Sequence, residues 1–127
     1  MGEQDRINVK AELVSFKGED CLKFTFTGHF TEKDAEYGVG EWKELFASAE
    51  NQKVTLIWDS TQMTGFDNKA RIIWQHALKD MKKQIKCVWL ISNSKIIRTG
   101  AKVMSAFTSF CLKVVDNSDK IVFSVLL

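Results

Sequence analysis

The sequence predicts an α/β protein built on a single mixed β-sheet, with an opening antiparallel hairpin, then parallel βα units, packed by about four helices. Three observations predict it. Residues 7–16 (INVKAELVSF) and 21–27 (CLKFTFT) alternate apolar and polar side chains around a Lys-Gly-Glu-Asp turn signal, the pattern of two hairpin strands. From Val54 to Met81 an apolar run ends at an aspartate, passes through a short Gly-containing loop and enters an amphipathic stretch, so it reads as a βα unit. The alternation then returns, with CVWLI at 87–91, a helical pattern, and LKVV at 112–115, which implies right-handed crossovers between parallel strands. The 127 residues suit one domain, for which roughly 100–150 is the commonest size. No proline, linker, repeat or low-complexity tract marks a seam, so a single domain over 1–127 is expected.

Each element has its own local reason. Thr31 and Asp34 form an approximate capping box, after which Val39, Trp42, Leu45, Phe46 and Ala49 recur at helical spacing, predicting a first helix over roughly 32–50. Gly38 and Gly40 each cost about 1 kcal/mol relative to alanine in a helix, so this helix is expected to begin late or bend. Val54–Trp58 is almost continuously apolar, as a central strand buried on both faces should be. Ser60 to Asn68 is expected to be a loop. Ala70, Ile73, Trp74, Ala77, Leu78, Met81 and Ile85 then share one stripe, with lysines on the remainder, giving the clearest helix in the chain. Ser92-Asn93-Ser94 supplies cap oxygens for a third helix, whose inner face is predicted as Ile97, Gly100, Ala101, Met104, Phe107 and Cys111. Asn117-Ser118-Asp119 offers another cap, and the closing IVFSVLL is predicted as a fourth helix, although its β-branched residues also permit a strand.

Composition narrows the function classes. Apolar residues make up 45% and charged residues 27%, ordinary for a globular chain. No apolar run approaches the roughly 18 residues of a membrane span, and MGEQDR leads into no apolar signal core, so a cytoplasmic location is expected. Cys21, Cys87 and Cys111 are far apart, form no CxxC or zinc pattern, and each lies in an apolar segment; buried reduced thiols are expected. Residues 1–60 carry 7 Lys/Arg against 12 Asp/Glu, a net −5, whereas residues 61–127 carry 11 against 4, a net +7. A basic half of this kind attracts an acidic protein or a phosphate-rich surface.

Catalysis finds little support. His29 and His76 have no recognisable nucleophile or metal-ligand spacing around them, so no catalytic residue, metal or cofactor is expected. Asp59, at the end of the central strand, is read as an acceptor for the amides that follow it. Neither GxxxxGK[ST] nor GxGxxG occurs, which removes nucleotide hydrolysis. Lys79, Lys82, Lys83 and Lys86 make a basic patch, but no basic-aromatic motif or helix-turn-helix accompanies it, so nucleic acid is not the expected partner.

The stretches VTLIWDSTQMTGFDNKA (54–70), ALKDMKKQIKCVWLIS (77–92) and FTSFCLKVVDN (107–117) resemble the STAS family, the sulfate-transporter and anti-sigma-factor-antagonist domain, in particular its sporulation-antagonist-like branch. That branch in turn resembles CRAL-TRIO lipid carriers. The resemblance implies a regulatory module that binds another protein through the loop after the central strand. In antagonist members that loop reads roughly Asp-Ser-Ser-Gly, and a kinase phosphorylates a serine there. Asp67 matches the aspartate, but Asn68, Lys69 and Ala70 follow it, and neither Asn nor Lys has a hydroxyl to accept a phosphoryl group.

The candidate partner-binding residues are therefore Asp59, Thr64, Gly65, Phe66, Asp67, Asn68 and Lys69. Gly65 is expected to supply a positive φ, Phe66 to anchor the loop or a partner, and the polar residues to set register. The rival expectation is a lipophilic small ligand or membrane surface, bound between the second and third helices and the sheet by Trp58, Trp74, Trp89, Ile97, Met104 and Phe107, with Arg98 near an anionic headgroup. The charge asymmetry and a free hairpin edge also allow a homodimer.

Overall fold

The protein is described here by a computed structural model covering residues 6–49 and 52–123. Strands β1 (Val9–Phe16) and β2 (Glu19–Phe30) form the antiparallel hairpin; α1 (Glu32–Ala47), β3 (Val54–Phe66), α2 (Asn68–Met81), β4 (Ile85–Ile91), α3 (Lys95–Thr108) and β5 (Leu112–Val115) follow. The sheet order is β1-β2-β3-β4-β5, with every pairing after the hairpin parallel. The central position expected for Val54–Trp58 is therefore observed.

Turn chemistry sets the hairpin. Phe16 pairs with Glu19 across a two-residue loop in which Lys17 and Gly18 have φ of 50° and 82°. Positive φ at both positions gives a type I′ turn, whose twist matches that of the flanking strands. Helix α1 starts at a complete capping box: Thr31 Oγ1 accepts from the Asp34 N–H and the Asp34 carboxylate accepts from the Thr31 N–H. It runs unbroken through both glycines, contrary to the late start or bend expected of them. Packing explains this, because a Cβ at Gly38 would lie 2.9 Å from the Trp74 ring; the missing side chain brings α1 against α2.

Since the strand order follows the chain order and right-handed crossovers advance in one direction, all three helices cover one face of the sheet. There Trp74 is the hub, with ring centroids 5.1 Å from Phe24, 5.3 Å from Phe30 and 5.1 Å from Trp42. The opposite face holds a smaller cluster of Cys21, Ile57, Trp89, Ile91 and Ile121. The chain after β5 covers it: Lys17 Nζ donates to the carbonyls of Asp119 (3.0 Å) and Ile121 (2.7 Å), and the Phe123 ring meets Trp89 edge-on.

Four expectations need correction. The sheet carries three helices, not about four: the Asn117 cap starts only the 3-10 turn Ser118–Lys120, and Ile121 enters the core in extended form. The rest of the proposed closing helix, 124–127, lies outside the described residues. The segment Ser60–Phe66 is strand, because the end of β2 extends far enough to pair with it, Phe30 meeting Phe66, after irregularities at Thr25/Thr27 and at Gly28, where φ is 64°. On α3 the inner face closes with Thr108, while Phe107 is 72% exposed. Finally, only Cys21 is a buried thiol; Cys87 and Cys111 are joined by a disulfide, their Cα atoms 4.6 Å apart. Although 24 residues apart in sequence, they become neighbours when α3 crosses over to set β5 beside β4.

Candidate functional site

The carboxyl ends of β2 and β3, the first turn of α2 and the outer side of α3 meet at one end of the sheet, where open α/β sheets usually bind ligands and partners. Strand alternation divides the predicted residues at once. Trp58 and Ser60 line a cavity under the helices, whereas Asp59 between them faces the opposite side of the sheet. There Asp59 accepts from the Thr61 N–H (3.2 Å) and hydroxyl (2.8 Å) and lies 4.0 Å from Lys23 Nζ. Its predicted role as acceptor for the following amide holds, but it is separated from the rest of the proposed surface.

Further along, Thr64 is exposed and Gly65 is extended backbone, not the positive-φ position expected of it; among the described glycines only Gly18 and Gly28 have positive φ. The absent side chain at Gly65 leaves room for His29, whose Nδ1 would stand 3.2 Å from a Cβ there. His29 Nε2 in turn lies 2.8 Å from Asp67 Oδ1. Asp67 is the N-cap residue of α2, yet its carboxylate caps nothing, because His29 holds it; its own N–H donates to the Phe30 carbonyl at 2.9 Å. This histidine was not foreseen at the site, since 38 residues separate it from Asp67 and only the extended pairing of β2 with β3 brings them together.

Phe66 does not stand free to anchor a partner. A Cβ at Gly100 would fall 2.7 Å from its ring tip, so the glycine in α3 is the socket into which the ring fits. Asn68 and Lys69 are exposed on the first turn of α2. Between that turn and α3 runs an open groove of about 400 Å³, walled by Phe66, Asn68, Arg71, Lys95, Ile96, Thr99, Gly100 and Val103. Ile96 at its edge is 70% exposed. The groove walls include Arg71 and Lys95 and no carboxylate.

Beneath Phe66 lies the apolar cavity, about 50 Å³, lined in part by Phe26, Phe30, Trp58, Met63, Trp74, Ile97 and Met104, with Arg71 shared between it and the groove. Of the residues predicted for a lipophilic pocket, Trp58, Trp74, Ile97 and Met104 do come together. The other three do not. Trp89 belongs to the far side of the sheet, Phe107 points to solvent, and Arg98 is held by its own helix start, its Nε donating to the Ser92 carbonyl at 2.6 Å.

The His29–Asp67 pair is the arrangement of a base and its orienting carboxylate, but no described hydroxyl or thiol is hydrogen-bonded to His29. Among the described residues, no group of three or more His, Cys, Asp or Glu is placed to hold a metal ion. No described helix is long and apolar enough to cross a membrane.

A five-stranded mixed sheet with three helices on one face and a groove at its carboxyl end defines a two-layer α/β domain. The chain belongs to the SpoIIAA-like family, whose model matches residues 21–121. Among solved structures, it is similar to an uncharacterized protein of the DUF3478 family with a SpoIIAA-like fold from Shewanella loihica PV-4, at 16% identity and TM-score 0.74 over 94% of each chain. It is also similar to the anti-sigma factor antagonist SpoIIAA in its unphosphorylated form, at 14% identity and TM-score 0.59 over 87% of this chain and 92% of that one. At such identities the likeness is one of fold. No curated protein matches the chain.

Proposed function

We propose that this chain is a non-enzymatic regulatory module that binds another protein through the groove between the first turn of α2 and α3. Family membership supports a regulatory role, and the similar SpoIIAA is an anti-sigma factor antagonist. The single observation that carries the reading is Ile96, an isoleucine 70% exposed at the edge of an apolar groove whose charged wall residues, Arg71 and Lys95, are both cationic. Charge complementarity defines the occupant: a protein segment that inserts an apolar side chain and flanks it with carboxylates. Asn68 and Lys69 offer no hydroxyl beside Asp67, so we infer that partner release here does not use phosphorylation at that turn. Of the residues first expected to bind, Phe66 and Asn68 line this groove, and Asp67 and Lys69 are their neighbours along the chain.

A photo-crosslinking residue at position 96, compared with one at Tyr37 on α1, tests the reading in the cells that make the protein. The expected outcome is one crosslinked protein from position 96, absent from position 37 and lost when Arg71→Glu and Lys95→Glu are combined. Equal crosslinking from both positions, or retention in the double variant, overturns it.

The lipophilic reading has weaker support. The cavity of about 50 Å³ falls well below the roughly 300–1,000 Å³ of small-molecule sites, and Phe66 separates it from the groove.

A further inference from the structure

We propose that Cys87 and Cys111 are a reversible thiol–disulfide site, open to exchange with dithiols, that fastens the carboxyl end of α3 to β4. The bond closes a covalent ring holding the last part of β4, the Ser92–Ser94 cap and the whole of α3. Cys111 is exposed and Cys87 half-buried, so a thiolate from solution reaches the Cys111 sulfur first. The bond is not the only link between these strands. The Val88 N–H donates to the Cys111 carbonyl at 2.8 Å, and β5 is in register with β4 from Val88–Leu112 to Ile91–Val115. A chain of this size with a continuous aromatic core also has no need of a structural staple, unlike small secreted domains. A disulfide that ends at an exposed cysteine, between strands that backbone pairing also joins, is one that exchange can open and close.

The step is a two-electron transfer. One thiolate of a dithiol attacks Cys111 Sγ, forming a mixed disulfide and releasing Cys87 as thiolate, which takes up a proton. The second thiol of the reagent then displaces Cys111, leaving two protein thiols and the reagent as a cyclic disulfide. Glutathione disulfide reverses the reaction, yielding two molecules of glutathione. Cys21 stays outside the exchange: it is wholly buried in β2, and burial, then the charges of Glu19 and Asp20, push its thiol up to about 11. Apart from the backbone itself, no other covalent link joins α3 to the sheet among the described residues. Its last turn is held by the Thr108 hydroxyl on the Met104 carbonyl, the Ser105 hydroxyl on the Phe110 carbonyl, and Phe110 against Trp58 at 5.9 Å. Because α3 forms one wall of the groove, opening the ring loosens the surface assigned above; that consequence rests on the proposed function, whereas the redox step does not.

The full-length protein is equilibrated with excess glutathione disulfide or with dithiothreitol, blocked with N-ethylmaleimide without denaturant, and weighed intact and after digestion. The oxidised sample is expected to take up no label, and the reduced sample two, at Cys87 and Cys111, with Cys21 unmodified in both. Amide exchange of residues 95–108 and 112–115 is expected to be at least about tenfold faster after reduction, in keeping with the loss of a cross-link closing a loop of this length, while the β1–β2 hairpin is unchanged. A Cys87→Ser, Cys111→Ser double variant should reproduce the reduced protein, and the reduced wild type serves alone if that variant does not fold. Labelling of either cysteine in the oxidised sample, a bond that resists dithiothreitol under native conditions, or equal exchange of α3 in both states overturns the proposal. Partner crosslinking from position 96 is not used in this test, so failure here leaves the groove assignment standing.

Discussion

Gly100 and Phe66 carry a testable packing relation at the scale of single residues. An alanine at 100 improves helix propensity by up to about 1 kcal/mol, but its Cβ would sit 2.7 Å from the Phe66 ring, and overpacking of this kind costs about 1–3 kcal/mol. Gly100→Ala should therefore lower stability by about 1–2 kcal/mol in urea unfolding, and Phe66→Leu in the same chain should recover part of it. Asp34 is a second case: a carboxylate 2% exposed that accepts from the N–H groups of Asn8 and Thr31, both at 2.9 Å, and from the Thr31 hydroxyl at 3.0 Å. Asp34→Ala leaves buried donors unpaired and should cost about 2–4 kcal/mol, whereas Asp34→Asn, which keeps one oxygen, should cost less; equal losses would mean that the retained oxygen contributes nothing. The cap at Thr31 and Asp34 was legible because its two members are three residues apart. The Asn8 contact, 26 residues away, was not, nor was the choice of Thr108 over Phe107 on α3, since both continue the stripe from Met104 and only packing selects one.

Whole elements were legible where one physical signal dominated. The apolar run 54–58, the stripe on α2 as far as Met81 and the Lys-Gly hairpin turn each lead to the observed structure, because burial on both faces, a 3.6 period and paired positive φ leave few alternatives; Ile85, which continues the stripe in sequence, instead opens β4 after the 3-10 turn Lys82–Gln84. The far end of β3 was hidden: Thr61, Gln62, Thr64 and Gly65 have no apolar alternation, and they are strand only because β2 offers them a partner through Phe30. The segment after β5 was misread for the opposite reason, a real cap followed by residues whose destination is the uncovered face of the sheet. Ile121, fully buried there, is what places that segment. Ile121→Ala should cost about 2–4 kcal/mol, the range for deleting a buried aliphatic side chain. The same variant should bring Cys21, in the same cluster, within reach of N-ethylmaleimide. A stability loss below 0.5 kcal/mol would show that the segment rests on the sheet without supporting it.

At the scale of the whole molecule, the charge imbalance read from the sequence becomes spatial. The exposed acids of α1, Glu32, Glu36 and Glu44, belong to the negative half of the chain, while Lys69, Lys95 and Lys102 lie on α2 and α3. Binding at the groove should therefore weaken about tenfold or more between low salt and 0.5 M, as screened attraction requires. The lipid alternative makes a different claim on the same end of the molecule, because an acyl chain has to be housed out of water. The apolar cavity of about 50 Å³ admits a few water-sized molecules, and enlarging it means lifting α3 from the sheet and withdrawing Phe66 from the Gly100 socket. A surface groove with an exposed isoleucine and two cations needs no such rearrangement to receive a protein segment. Native mass spectrometry of the protein purified without detergent should accordingly give the mass of the chain alone, in oxidised and reduced samples alike. A stoichiometric lipid mass that disappears in Trp58→Ala, a change inside the cavity that leaves Arg71 and Lys95 in place, would transfer the function from the groove to the space beneath it.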